Sequence, residues 1–141
     1  MENADNKYCS CLYYSVNALS RILTKVADEA FSKVGLSSSY AFLLMTVSEK
    51  PGIQPKEISK KLQLTPSTIT RLIEKMEYRG FLERKQSGRC TQVYATEAGL
   101  ALHPKIKDAW QQLYQHYADV LGAEESNQLT ADIYDAVTKL E

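Results

Sequence analysis

Residues 55–96 read PKEISKKLQLTPSTITRLIEKMEYRGFLERKQSGRCTQVYAT. Within this stretch Thr65 is a suitable helix N-cap, and Pro66 stands at the first helical position, where proline is favoured. Pro55 opens a shorter helix just upstream. The stretch therefore predicts two helices joined by the turn at residues 63–65. The second helix has an apolar face at regular helical spacing, formed by Ile69, Leu72, Ile73 and Met76.

A short hairpin is predicted after these two helices. Gly80 is placed to end the second helix in a left-handed conformation. Residues 81–85 and 91–96 are interpreted as strands, joined by the glycine-containing loop Gln86-Ser87-Gly88-Arg89. Two helices linked by a short turn and followed by a hairpin with a basic tip form the winged helix-turn-helix arrangement.

Further helices are predicted on both sides of this unit. Residues 8–34 are expected to form one long helix, because apolar residues recur in it at alternating spacings of four and three. A second helix, capped within residues 37–39, is almost continuously apolar and ends at Lys50-Pro51-Gly52. After the hairpin, one helix is predicted at 97–121, bent or restarted at His103-Pro104, and a last one at 125–140.

Composition limits the class of protein. The chain has 141 residues, of which 44% are hydrophobic and 24% charged, which is typical of one folded domain with a core. Its longest apolar run, at residues 41–45, is far too short for a membrane span, and residues 1–5 are polar and acidic with no signal-peptide core. We therefore expect a cytoplasmic protein with no membrane partner. Three cysteines in such a chain are expected to be free thiols.

Charge is unevenly distributed along a chain whose formal net charge is zero. Residues 56–89 carry nine Lys or Arg and four Glu, a net charge of +5, and the remainder carries −5. A polyanion would be drawn to the positive segment, although a solvated basic surface is the simpler alternative. The outward side of the second helix and the hairpin hold the side chains that suit DNA bases and phosphates. The predicted DNA-binding residues are Thr65, Ser67, Thr68, Thr70, Arg71, Lys75, Arg84, Lys85 and Arg89.

Other classes of function fit the sequence less well. His103 and His116 have no partner at metal-ligand spacing, and no phosphate-binding glycine loop or serine nucleophile motif is present, so neither an enzyme nor a cofactor or metal is expected. A winged-helix module that binds protein is the alternative. Such a module should expose apolar anchors on its second helix, where this chain has serine, threonine, arginine and lysine.

The sequence resembles the multiple antibiotic resistance regulator (MarR) family of bacterial transcription factors over nearly its whole length. The likeness is strongest in KEISKKL at 56–62, STITRLIEKMEYRGFLER at 67–84 and YATEAG at 94–99. It implies an obligate homodimer whose terminal helices form the interface, with the second helix of each subunit in the major groove and the hairpin near the minor groove. It also implies that Arg89 is the arginine of the hairpin tip. This hairpin loop is shorter than the loop usual in the family, and it lacks the acidic residue that usually precedes that arginine.

Dimerisation is also expected from burial alone. Apolar stripes in residues 12–30 and 129–140 both need covering, and one small winged domain cannot cover both. The sequence thus predicts a mainly α fold with a small hairpin wing, in which residues 1–36 and 100–141 form a helical dimerisation region and 37–99 the DNA-binding region. A two-fold dimer should bind a pseudo-palindrome whose half-sites are about 10 bp apart.

The signal that would control DNA binding, the effector, has three candidates. Residues 6–13, NKYCSCLY, are similar to the N-terminal segment of the organic hydroperoxide-sensing branch of the family, which makes Cys9 and Cys11 candidate redox sensors. Buried, inert cysteines are the alternative. A small aromatic ligand in the cleft between the dimer helices and the winged region is the second answer, and no effector is the third. The aromatic residues assigned to that cleft are Tyr13, Tyr14, Tyr40 and Trp110.

Overall fold

The computed structural model describes residues 6–141, so the prediction made for residues 1–5 lies outside the described part. The fold is mainly helical with a two-stranded antiparallel hairpin, as predicted. No helix in the described part is both long and apolar enough to cross a membrane. The elements are α1 (Leu12–Phe31), α2 (Ser38–Glu49), α3 (Pro55–Leu62), α4 (Pro66–Tyr78), β1 (Leu82–Ser87), β2 (Cys90–Ala95), α5 (Glu97–Leu121) and α6 (Ala123–Leu140).

The prediction of one helix over 8–34 is wrong at both ends. A separate 3-10 turn occupies Lys7–Ser10, and extended Cys11 is the N-cap of α1. Local side-chain bonds hold this turn, because Asn6 Oδ1 accepts the Tyr8 N–H at 3.0 Å and Ser15 Oγ donates to the Cys9 carbonyl at 3.1 Å. Such bonds compete with helix formation. At the other end a second 3-10 turn, Ser32–Val34, follows α1.

The core is built around α2, which contacts α1, α3, α4, α5 and β2. Five of its residues are buried, in agreement with its nearly continuous apolar sequence. Helices α1, α3, α4 and α5 all contribute apolar side chains to the same cluster, so α1 and α5 share one core with the winged unit. Its largest fully buried members include Phe31, Leu43, Leu44, Ile58, Ile69, Ile73, Met76 and Ile106.

The turn between α3 and α4 forms where the sequence predicts it. Pro55 and Pro66 both stand at the start of their helices, and Thr65 Oγ1 accepts the Thr68 N–H at 3.4 Å as the α4 cap. Gln63 adopts the left-handed conformation at the end of α3, with φ 55°. Ser59 Oγ donates to the Leu64 carbonyl and closes the turn. These local bonds fix where α4 begins relative to α3.

The hairpin is longer, and its loop shorter, than predicted. β1 and β2 pair from Leu82 opposite Ala95 to Ser87 opposite Cys90, which leaves only Gly88 and Arg89 in the loop. Gly88 has φ 62°, a conformation that two-residue hairpin turns require at this position and that glycine adopts without strain. Strand pairing therefore continues through two residues that the sequence assigns to the loop.

Helix α5 continues through Pro104, so the predicted restart there is wrong. Gly99, Ile106 and Ala109 are buried on both sides of the proline, and this packing holds the two halves in one helix despite the hydrogen bond that proline removes. Thr96 caps α5 by accepting the Gly99 N–H at 3.1 Å. Helix α6 begins at Ala123, two residues before the predicted start.

Candidate nucleic-acid interface

Helix α4 sorts its side chains as the sequence predicts. Ile69, Ile73 and Met76 are buried, and Leu72 is half-buried against the core. Most of the predicted contact residues face solvent: Ser67, Thr70, Arg71 and Lys75 are exposed and Thr68 is half-buried. The outward face of α4 is therefore polar, with the cations Arg71 and Lys75 and the exposed carboxylate of Glu74 on it, and it is accessible over the length of the helix.

The hydroxyls at the start of α4 form a connected group. Thr65 Oγ1 lies 2.9 Å from Thr68 Oγ1 and 3.3 Å from Ser67 Oγ. Arg71 Nη2 donates to Thr68 Oγ1 at 3.4 Å, which directs the guanidinium along the helix surface. Thr70 Oγ1 donates to the Pro66 carbonyl at 3.0 Å, so its lone pairs are the part left to accept from a partner. The start of α4 therefore places the Arg71 guanidinium beside several hydroxyl oxygens that can accept hydrogen bonds.

The cations of the basic segment fall into two groups. Arg84 Nη2 lies 2.8 Å from Glu77 Oε1, and Lys85 Nζ lies 3.7 Å from Glu83 Oε1 and 5.0 Å from the centre of the Tyr94 ring. Within residues 6–141, no carboxylate forms an ion pair with Arg71, Lys75, Arg89, Lys56 or Lys60. Within the basic segment, the cations without an ion pair therefore lie on α4, at the hairpin tip and on α3.

Glu57 offsets part of the charge on α3. It is paired with Lys50, and Lys61 Nζ lies 3.9 Å away. The hydrogen bond from Lys50 holds the pKa of the Glu57 carboxyl below its usual range, and the positive charge of Lys61 acts in the same direction. This carboxylate therefore stays ionised at neutral pH and ties the end of α2 to α3.

The hairpin is fixed to the body of the protein at both ends. Glu77 of α4 accepts from the Arg84 guanidinium and, at 3.3 Å, from the Arg84 backbone N–H. Ile53 and Val93 form an antiparallel bridge that joins the loop after α2 to β2. Arg79 Nη2 donates to the Gly35 carbonyl at 3.2 Å, which anchors the end of α4. Contacts between separate elements therefore set the orientation of the hairpin relative to α4. Local sequence patterns do not reveal such contacts.

The three cysteines are all exposed, and Cys11 and Cys90 are free thiols. Cys9 lies in the 3-10 turn before α1, and Cys11 is the N-cap of α1, so the alternative of buried, inert cysteines does not describe this structure. The turn packs on α1 through the Tyr8 and Tyr14 rings, whose centres are 5.7 Å apart. No group of three or more His, Cys, Asp or Glu side chains suited to a metal ion occurs among residues 6–141.

The four aromatic residues assigned to a ligand cleft lie in different surroundings. Tyr13 is 80% exposed at a groove of about 480 Å³ between α1 and α6. Tyr14 packs on Tyr8, Tyr40 packs on the core, and Trp110 lies edge-on to Phe42 with ring centres 6.1 Å apart. The structure does not bring them together around one cavity.

A second cavity, of about 370 Å³, opens between α1, α2, α5 and α6, and none of those four residues lines it. Its walls include Leu23, Phe42 and Tyr117. The cavity lies in the region where the sequence predicts a ligand cleft, between the terminal helices and the winged region, but its lining residues differ from those predicted for that cleft. Ser20 and Thr24 of its wall lie beside the apolar stripe of the first helix, and by themselves they do not indicate a cavity.

An exposed, cationic second helix, capped at a tight turn and followed by an anchored hairpin, defines a winged helix-turn-helix unit. Comparison with known proteins agrees: residues 36–90, which span that unit up to the hairpin tip, match the MarR family model. Over these residues the chain is similar to the MarR family, and relatives that match more of the chain are named as HTH-type transcriptional regulators.

Individual relatives extend the likeness beyond the winged unit. The chain is 25% identical to the HTH-type transcriptional regulator SarZ of Staphylococcus haemolyticus over 125 residues, which is 86% of this chain and 82% of SarZ. It is 28% identical to the organic hydroperoxide resistance transcriptional regulator of Bacillus subtilis over 107 residues, 74% of this chain and 70% of that protein. The S. aureus MepR–DNA complex has a MepR chain of the same fold, with a TM-score of 0.78, 19% identity and coverage of 92% and 98%.

Proposed function

We propose that this chain acts in the cytoplasm as a homodimeric repressor that binds a pseudo-palindromic operator and is released by a small ligand or by cysteine oxidation. The observation that carries the proposal is the outward face of α4, where Arg71 and Lys75 lack carboxylate partners within residues 6–141 and Arg71 is directed by Thr68. Such a face suits the major groove, because guanidinium and hydroxyl groups pair with base edges and phosphates.

Each predicted contact residue has a role in this proposal. Ser67, Thr70 and Arg71 point to base edges from the first two turns of α4. Thr65 and Thr68 hold the helix start, where free backbone N–H groups favour a phosphate. Lys75 binds backbone phosphate further along the helix. Arg89 reaches toward the minor groove from the hairpin tip, and Arg84 and Lys85 act at the edge of the duplex.

The dimer is supported by apolar side chains that one chain leaves uncovered. On α1, Leu12 is 65% and Tyr13 80% exposed, and on α6 Leu140 is 80% exposed. The groove between these helices is lined by Leu12, Val16, Leu129, Ile133 and Val137, among other residues. A second copy would cover this surface with its own terminal helices. Residues 1–36 and 100–141 then form the dimerisation region, and 37–99 the DNA-binding region.

The oxidative route to release is supported by Cys9 and Cys11, which are exposed just before α1, and by the similarity to the organic hydroperoxide resistance transcriptional regulator of B. subtilis. In this route the Cys9 thiolate attacks an oxygen of an organic hydroperoxide. The O–O bond breaks, the sulfur becomes a sulfenic acid, and the peroxide leaves as the alcohol. A ligand route would use a cavity beside α1 instead.

The DNA-binding proposal is tested by titrating a duplex from the region flanking the gene against wild type, Arg71→Ala and Lys107→Ala. Lys107 is an exposed cation of α5 outside the basic segment and serves as the control. If Arg71 reads a base, its loss should cost about 1–3 kcal/mol on the specific site and little on random DNA. Equal loss for both variants, or no binding by wild type, would contradict the proposal.

Adding an organic hydroperoxide to the same titration tests the oxidative route. Wild type should release the duplex and Cys9→Ser should not, whereas unchanged wild-type binding would eliminate cysteine oxidation as the signal.

The protein-binding alternative predicts apolar anchors on the outward face of α4. Among the described residues of α4, Tyr78 at the end of the helix is the one large apolar side chain that is exposed.

A further inference from the structure

A cavity of about 570 Å³ lies beside the turn between α3 and α4. Five of its lining residues lie at the end of α3 or in that turn: Ser59, Lys60, Gln63, Leu64 and Thr65. The sixth is Glu141, which directly follows α6. The structure thus brings a carboxylate from the end of the last helix to the start of the DNA-binding helix, although the two are far apart in sequence.

The two charges at this cavity are opposite in sign. Lys60 and Glu141 are both exposed, and among the described residues neither of them forms an ion pair. Lys139 does not serve Glu141, because its Nζ lies 2.9 Å from Asp135 Oδ2. Exposed charges act on each other over a screening length of about 10 Å at 0.1 M salt. The Glu141 carboxylate therefore lowers the positive potential around Lys60 without binding to it.

The cavity borders the part of α4 to which the proposed function assigns a DNA phosphate. Thr65 caps α4, and its side chain is exposed toward the cavity that Glu141 lines. Lys60 would attract a phosphate beside Thr65, whereas Glu141 would meet it with a charge of the same sign. Two anions that share one cavity repel each other, so a phosphate and the Glu141 carboxylate compete for the space near Lys60.

The end of α6 is held by few contacts. Ser126, near the start of the helix, is buried, whereas residues 138–141 are all exposed. Helix α6 packs mainly on α5, and its apolar residues Leu129, Ile133 and Val137 line the open groove beside α1. The last turn of α6 can therefore move away from the turn between α3 and α4 without exposing buried side chains.

We propose that the Glu141 carboxylate stands where a DNA phosphate lies in the complex, so that the end of α6 competes with DNA at Lys60 and Thr65. The inference rests on the proposed function for the duplex and adds an autoinhibitory contact to it. DNA binding then requires the last turn of α6 to move away from α4. By linkage, whatever holds this turn of α6 in place lowers the affinity for DNA, and whatever draws it away raises that affinity.

Glu141→Gln in the full chain tests the proposal, with Glu124→Gln as the matched control. Glu124 is an exposed carboxylate of the same helix, about 25 Å from Glu141 along the helix axis and beyond the screening length. Fluorescence anisotropy with a labelled duplex from the region flanking the gene gives the affinity. Glu141→Gln should bind about 10-fold more tightly than wild type, which is about 3-fold for each of two protomers. Glu124→Gln should bind as wild type does.

A second set of variants locates the effect at the cavity. In Lys60→Gln the cation for which carboxylate and phosphate compete is gone, so adding Glu141→Gln should tighten binding by less than about 3-fold. Raising the salt concentration from about 0.05 to about 0.3 M should also shrink the gain of Glu141→Gln, because salt screens the repulsion that the substitution removes. Melting temperatures of all variants show that they are folded.

Three results would overturn the proposal: Glu141→Gln binding the duplex as wild type does, Glu124→Gln tightening binding equally, or a gain from Glu141→Gln that is undiminished in Lys60→Gln. The last two would show that only the net charge of the protein matters. Failure of the proposed function gives a different pattern. If wild type does not bind the duplex, both proposals are rejected, whereas wild-type binding that Glu141→Gln leaves unchanged rejects only the autoinhibitory contact.

Discussion

Glu77 should control where the hairpin stands relative to the DNA-binding helix. It lies on α4 and accepts from Arg84 of β1 twice, at 2.8 Å from the guanidinium and at 3.3 Å from the backbone N–H. Replacing it by Gln removes the charge and keeps the shape. We expect Glu77→Gln to loosen the hairpin and to weaken operator binding, even though it removes a negative charge from a DNA-binding surface.

The size of the effect follows from the exposure of the pair. The Arg84 and Glu77 side chains are 38% and 28% exposed, so solvent screens their attraction and the ion pair stabilises by about 0.5–1 kcal/mol. Weakening the bond to the backbone N–H adds about 0.5–1 kcal/mol. The sum is about 1–2 kcal/mol per protomer and about 2–4 kcal/mol for the two protomers on one operator, which corresponds to about 30- to 900-fold in operator affinity if both hairpins must be ordered for binding.

Fluorescence anisotropy with a labelled operator measures this effect, and Glu83→Gln is the matched control. Glu83 lies on β1 next to Arg84, and its carboxylate is 3.7 Å from Lys85 Nζ. Its replacement removes an equal negative charge without freeing the hairpin from α4. The control should bind DNA slightly more tightly than wild type. If Glu77→Gln also tightens binding, the charge released on Arg84 outweighs any loss of hairpin order and the positioning argument is refuted.

Three further predictions concern stability and assembly. A Cβ at Gly99 would lie 2.3 Å from a backbone oxygen of the loop before β1, so Gly99→Ala should lower the free energy of unfolding by about 1–3 kcal/mol in urea titrations, and an unchanged midpoint would contradict this packing. Because Lys50 lowers the pKa of Glu57, the bond between them stabilises the fold above the usual glutamate range and is lost as pH falls through the lowered pKa. Melting temperatures should therefore fall more steeply with acid in wild type than in Glu57→Gln, and parallel curves would show that the bond contributes nothing. Leu129→Glu puts a charge into the groove between α1 and α6 and should give monomers by light scattering, whereas Ala131→Glu, on exposed α6 surface, should not; equal dimer content would place the interface elsewhere.

Elements specified by local residues could be predicted from the sequence. The start of α4 depends on Thr65 and Pro66, and its buried face on residues three and four apart, so both are confirmed. The two-residue loop of the hairpin was missed because strand pairing is a cooperative property of both strands. The start of α1 was missed because Asn6 and Ser15 form competing local bonds that apolar periodicity does not register.

The candidate site was predicted in its residue types but not in its charge balance. Which cations remain uncompensated depends on contacts between distant segments, such as Arg79 with Gly35, which are 44 residues apart. The ion pair of Arg84 with Glu77 joins two elements in the same way. The cavity behind Phe42 requires four helices to meet, so no single segment of the sequence could reveal it.

The salt dependence of operator affinity tests the central claim most directly. If two copies each neutralise three to five phosphates through cations such as Arg71, Lys75 and Arg89, the logarithm of the association constant should fall with the logarithm of salt concentration with a slope on the order of −6 to −9. This range follows from counterion release by the uncompensated cations of both protomers. A slope near zero would show that these side chains do not grip a duplex and would contradict the account.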